Sequence, residues 1–258
     1  VKGILGKNVV VTAGGSGIGL GIALGYKALG ANVTICDVDD ANLAAVRSEN
    51  PTVIAVKADI SKEEQVAQLF KTAIGEMGSI DILVNNAGIS GPTAPLEGIS
   101  LTDWRACMNV NIDGCFLCCR EVVPFLKAQG AGSIINISST AGIFAYPMRA
   151  PYAASKWAMV GLTKTLAMEL GPFGIRTNSI APGSINNARM DGVIAREAVS
   201  KGVSEAEIRE SYAQQSAMRS FIDVEEISDM AIFLSSDLGK HINGQVIAVD
   251  GFAETITT

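Results

Sequence analysis

Short apolar runs alternate with longer stretches of helical periodicity along the chain. Residues 7–12 (KNVVVT) suit a strand buried on both faces, and a helix is predicted over 17–29. A second strand follows at 32–36 and ends at Asp37, then a helix near 40–48 and a third strand at 52–57. Ser61 opens the next helix, with Glu64 three positions on as a capping box. The fourth strand is 80–84, and a long helix covers 101–127. The fifth strand is 133–137, and the helix after it carries Tyr152 and runs to about Leu170. A sixth strand at 175–180, a helix at 224–235 and a last strand at 245–249 complete the pattern. Strands alternating with helices of this length predict a doubly wound parallel α/β sheet of about seven strands, Rossmann-like, with helices on both faces. No linker or repeat divides 1–258, so one domain is expected. Residues 184–220 are more polar, interrupt the alternation, and read as a substrate-loop insertion.

Composition narrows the picture. With 48% hydrophobic and 18% charged residues, the chain can build a large core. A net charge of −6 with no basic run argues against nucleic-acid binding. No apolar segment reaches a membrane span of about 18–20 residues, and the N-terminal stretch lacks a signal-peptide pattern. Of the five cysteines, Cys115, Cys118 and Cys119 cluster without a second CxxC, and the one histidine, His241, is distant. That favours packed thiols in a reduced, cytoplasmic protein over a metal site.

Three segments carry candidate chemistry. Thr12-Ala13-Gly14-Gly15-Ser16-Gly17-Ile18-Gly19 joins the first strand to the first helix. Small residues let backbone approach a ligand closely, and the helix start aims free N–H groups at it, which suits a pyrophosphate. Asp37, at the end of the second strand, can accept hydrogen bonds from ribose hydroxyls and repel a 2′-phosphate. With no Arg or Lys in the glycine loop or directly after Asp37, the expected cofactor is NAD rather than NADP. Asp59 can reach an adenine edge or serve a helix-start turn. Tyr152 and Lys156 stand four apart and so share a helix face. A neighbouring ammonium lowers a phenol pKa from its usual value of about 10, giving a usable proton donor and acceptor. Ser139 falls at the C-terminal end of the fifth strand, the edge where open α/β sheets bind ligands.

Taken in order, the glycine loop at 12–19, Asn85-Asn86-Ala87-Gly88, Asn111, Ser139 with Tyr152-x-x-x-Lys156, and Pro182-Gly183 resemble the short-chain dehydrogenases/reductases over essentially the whole length. The resemblance implies a nicotinamide cofactor and a tetrad of Asn111, Ser139, Tyr152 and Lys156. Tyr152 is then the general acid/base, Lys156 lowers its pKa and binds the nicotinamide ribose, Ser139 orients the substrate oxygen, and Asn111 holds a relay water. Cofactor contacts are implied for Gly14, Ser16, Gly17, Ile18, Gly19, Asp37, Val38, Asp59, Ile60, Asn86, Ala87, Gly88, Pro182, Gly183 and Ile185, with a homotetramer as the usual assembly. Two departures stand out. Ala13 replaces a usual glycine and survives if its φ stays negative, while Asn186 and Asn187 replace a usual threonine.

The expected reaction is reversible hydride transfer between NAD and a secondary alcohol, with a lean to a sugar, polyol or other polar hydroxy compound. The alternatives are a 3-oxoacyl-type or other ketone reductase, a dehydratase or epimerase on the same fold, and a dinucleotide-binding protein without turnover. Ser139, Thr140, Arg149 and Arg189 are candidate substrate contacts. Either arginine suits an anionic substrate group if it points inward, although a solvent-facing side chain is the commoner expectation for each.

Overall fold

The computed structural model describes residues 1–253, apart from the side chains of Arg189 and Ser200. Seven parallel strands form one sheet in the order β3-β2-β1-β4-β5-β6-β7. They are β1 (Asn8–Thr12), β2 (Asn32–Asp37), β3 (Ile54–Lys57), β4 (Ile82–Asn85), β5 (Gly132–Ile137), β6 (Ile175–Pro182) and β7 (Val246–Val249). The helices are α1 (Gly17–Ala28), α2 (Asp40–Glu49), α3 (Glu63–Met77), α4 (Leu101–Met108), α5 (Gly114–Gln129), α6 (Ala150–Leu170), α7 (Ala188–Lys201), α8 (Glu205–Ala213) and α9 (Val224–Ser235).

The period-two side-chain alternation of the strands builds two cores from one sheet. Val9, Val11, Ile82, Val84, Ile135 and Ile137 face α1, α2 and α9. Val10, Leu83 and Ile134 face α3, α5 and α6. The strand order reverses between β1 and β4, so the carboxyl ends of those strands open a crevice. Residues 184–220 fold back over that edge. Within them Ile194, Ala198 and Ile208 form a separate small apolar cluster joined by Met190, Tyr212 and Phe221.

Two expected elements differ. The long helix over 101–127 is really α4 and α5, joined by a π-helical turn at Asn109–Asp113. One extra residue in that turn rotates α5 relative to α4 and turns Asn111 inward, where it is fully buried. The capping box at Ser61 does not form, because α3 starts at Glu63 after Lys62, which makes no side-chain cap. The turn is held instead by Asp59, whose Oδ1 accepts from the Ser61 N–H at 2.9 Å while its own N–H donates to Gln65 Oε1 at 2.8 Å.

Ala13 sits at φ +50°, so the condition set for it fails. A left-handed conformation costs an L-residue about 1–2 kcal/mol, and the extra unfolded-state freedom of glycine returns only about 0.4–1 kcal/mol of that. Ala13→Gly is therefore expected to stabilise the fold by about 0.5–1 kcal/mol, raising Tm by about 1–4 °C in a thermal melt.

Candidate active site

The glycine loop is built for close approach. A Cβ on Gly19 would lie 2.1 Å from the Ala13 carbonyl oxygen, and one on Gly15 2.7 Å from Asp37 Oδ2. Gly17 takes φ +53°, turning the chain into α1. Ser16 precedes the helix without a side-chain cap, and the first turn, with Ile18 and Gly19, carries no acidic residue. No side chain caps its N–H groups, an arrangement that suits a dinucleotide diphosphate. Gly14 N–H is tied to Cys36 O at 2.9 Å, packing the loop on β2.

Asp37 is buried at the end of β2 and receives the Gly15 and Asp39 N–H groups at 3.0 Å each. Val38 beside it is exposed, while Ile60 is buried against Gly114. Asn86 is largely a brace. Its amide donates to the Thr12 and Ala13 carbonyls at 3.0 and 3.1 Å, and the Asn86 and Ala87 N–H groups both donate to Thr12 Oγ1 at 3.0 Å.

A cleft at the carboxyl edge is lined by Asn86, Gly88, Ser139, Thr140, Arg149, Tyr152, Lys156, Pro182, Gly183 and Ile185. Tyr152 and Lys156 lie in the first two turns of α6, entered through Pro151. Lys156 is only 3% exposed. Its Nζ donates to Ile137 O at 2.7 Å and lies 5.7 Å from the centre of the Tyr152 ring. A Cβ on Gly88 would sit 3.5 Å from that Nζ and 3.2 Å from Asn111 Oδ1, so Gly88 is the floor that lets these groups converge. Ser139, two residues past the end of β5, is extended, and its Oγ accepts from Ala141 N–H at 3.1 Å. Thr140 beside it is buried. Gly183 passes close over Asp250, and Ile185 bridges to Ile222.

Asn111 spends its amide locally. Oδ1 accepts from Ile89 N–H at 2.7 Å, and Nδ2 donates to Ile89 O at 3.0 Å and Ser155 Oγ at 2.9 Å. The side chain therefore braces the Ile89 backbone and Ser155. Asn187 caps α7 by accepting from Met190 N–H at 2.9 Å, and exposed Asn186 pairs with Ile222 and Asp223. The two asparagines thus serve the start of the 184–220 segment.

Arg149 overturns the solvent-facing expectation. It is 7% exposed, lines the cleft, and lies over the rings of Tyr146 and Tyr152 at 5.3 and 5.5 Å. Its Nη2 donates to Ser90 O at 3.0 Å, and its buried Nε has no partner. Burying an unpaired ion costs several kcal/mol, more than two cation–π contacts return at about 0.5–2 kcal/mol each. The side chain of Arg189, in α7, lies outside the described residues.

Sequence reasoning missed Tyr212 and Asp250, which also line the cleft. Burial pushes the Tyr212 phenol well up, and it donates to Glu197 Oε2 at 2.9 Å. The four-residue spacing of Ile208 and Tyr212 on α8 was the available signal. For Asp250 the signal was a carboxylate at the end of β7. All five cysteines are buried and none is in a disulfide, and burial raises the Cys36 thiol to about 12. Among the described residues no helix is long and apolar enough to cross a membrane.

This sheet and cleft define a dinucleotide-type α/β oxidoreductase, and the chain belongs to the short-chain dehydrogenase/reductase family. A family model described as Enoyl-(Acyl carrier protein) reductase matches residues 12–251. The chain is 34% identical over 254 residues to 3-oxoacyl-(acyl-carrier-protein) reductase FabG of Thermotoga maritima, covering 95% of this chain and 97% of that protein. It is 34% identical over 255 residues to trans-4-hydroxycyclohexanecarboxylate dehydrogenase of Sinomonas cyclohexanicum, covering 95% and 92%. The crystal structure of NAD+-bound xylitol dehydrogenase superposes with a TM-score of 0.91 at 28% identity, covering 96% of this chain and 99% of that one. Such relatives are oxidoreductases of hydroxyl and ketone groups.

Proposed function

We propose that this chain is a single-domain, NAD-dependent dehydrogenase/reductase that interconverts a polar secondary alcohol and its ketone. The observation that carries the reading is the buried Lys156 ammonium beside the Tyr152 ring on the cleft wall. An ammonium there favours the phenolate, so Tyr152 Oη takes the hydroxyl proton in oxidation and returns it in reduction. Ser139 holds the substrate oxygen toward that phenol. Lys156 keeps the phenol acidic and, from the same face, reaches the ribose of a bound nucleotide. Asn111 is a positioning residue, fixing the Ile89 backbone beside Gly88. When bound, the nicotinamide supplies the hydride acceptor or donor.

The NAD preference rests on Asp37, whose carboxylate suits ribose hydroxyls and repels a 2′-phosphate. The NAD+-bound relative of similar fold supports it. An absorbance screen of sugars, polyols and hydroxy acids with NAD and NADP tests the reading, with turnover expected on NAD. Asp37→Ser is expected to lower kcat/KM for NAD about 10- to 100-fold, the worth of a charged hydrogen bond, and to raise the NADP/NAD ratio. An unchanged ratio would remove Asp37 from cofactor selection. Exposed Phe116, Trp157 and Met168 on α5 and α6 support the proposed homotetramer, and five buried cysteines with no disulfide among them support a reducing, cytoplasmic setting.

A further inference from the structure

We infer that Arg149 is the carboxylate reader of the cleft and that the physiological substrate is a small hydroxy acid. The inference rests on the dehydrogenase reading above and narrows its substrate class. The guanidinium is always protonated, yet it is buried and forms no ion pair with any described residue. Among the described residues no carboxylate stands against it; its contacts are the faces of Tyr146 and Tyr152 and the Ser90 carbonyl. Nε is buried and bonded to nothing. A charge kept in this state binds an arriving anion strongly, because its own desolvation has already been met by folding.

Position fixes which anion. Arg149 lies 5.5 Å from the centre of the Tyr152 ring, so the anionic group belongs to the same small molecule whose hydroxyl meets that phenol. One guanidinium, with Nη2 already engaged, balances one negative charge. That matches a carboxylate and leaves a phosphate dianion half compensated. The seating is rigid. Met148, at φ +63°, delivers Arg149 to the start of α6, and Met148 O accepts from Ala94 N–H at 2.9 Å. The loop that holds Arg149 through Ser90 is thereby pinned at a second point.

Calorimetric titration of the NADH-loaded protein with cyclohexanecarboxylate, cyclohexanecarboxamide and inorganic phosphate tests this without turnover. The carboxylate is expected to bind at least about 30-fold more tightly than its neutral isostere, as for a buried hydrogen-bonded charge pair, and more tightly than phosphate. In Arg149→Gln the carboxylate and carboxamide should bind alike, while Arg149→Lys keeps part of the preference. Equal binding of the two by the native protein, tighter binding of phosphate, or a preference surviving in Arg149→Gln would overturn the assignment. The native comparison decides even if a variant fails to fold. An enzyme active on neutral alcohols but indifferent to the carboxylate would refute Arg149 alone. A protein that binds the carboxylate but turns over no alcohol with NAD or NADP would refute the dehydrogenase reading and leave Arg149 standing.

Discussion

Tyr152→Phe is expected to lower kcat by about 1,000- to 10,000-fold, near the upper range for loss of a positioned proton donor. The substitution removes one oxygen and keeps the ring, so the contacts of Arg149 and Lys156 with its face persist. Lys156 stays anchored through Ile137 O. Folding should therefore be unaffected, and NADH affinity should change by no more than about tenfold, the worth of one neutral hydrogen bond. Stopped-flow hydride transfer and NADH fluorescence titration separate the two effects. Turnover within a few-fold of the native enzyme would show that some other group exchanges the proton.

Asn111→Leu carries the second large effect, and it acts on folding as well as on rate. The amide serves both the N–H and the C=O of Ile89, and Ser155 Oγ besides, in a fully buried position. A leucine removes three hydrogen bonds, at about 0.5–1.5 kcal/mol each, and places an apolar branch in a filled polar site. A loss of about 2–5 kcal/mol is expected, which lowers Tm by roughly 5–20 °C in a chain of this size. Activity should fall with it, since Gly88 stands beside both Asn111 and the Lys156 ammonium. A variant that melts like the native protein but has lost turnover would assign the side chain to proton relay instead.

The sheet was legible because each buried strand is a short apolar run between polar or glycine punctuation, and the seven strands fall within a few residues of their expected bounds. The glycine loop, Tyr152 and Lys156 were legible for a related reason. Their spacing acts within one turn or one helix face, so neighbours in sequence are neighbours in space. The π-helical turn was not, because a single inserted residue leaves the periodicity of α4 and α5 intact on either side. The partners that turn Asn111 inward lie 22 and 44 residues away. Ser61 failed as a cap because Asp59 takes the Ser61 N–H that Glu64 would have accepted, and the helix starts two residues later. Arg149 was misjudged on charge alone. The tyrosines three positions to either side of it were on view, but only the turn at Met148 folds both rings onto it.

The hairpin of α7 and α8 keeps its own apolar seam in Ile194, Ala198 and Ile208, apart from the two cores of the sheet. Its sequence can therefore be rewritten, or exchanged for a longer or shorter version, without repacking the strands that seat Tyr152 and Lys156. Evolution and protein engineering are thus offered a replaceable cartridge, in which new molecules are admitted by redesigning the roof while the proton-handling machinery beneath is inherited unchanged.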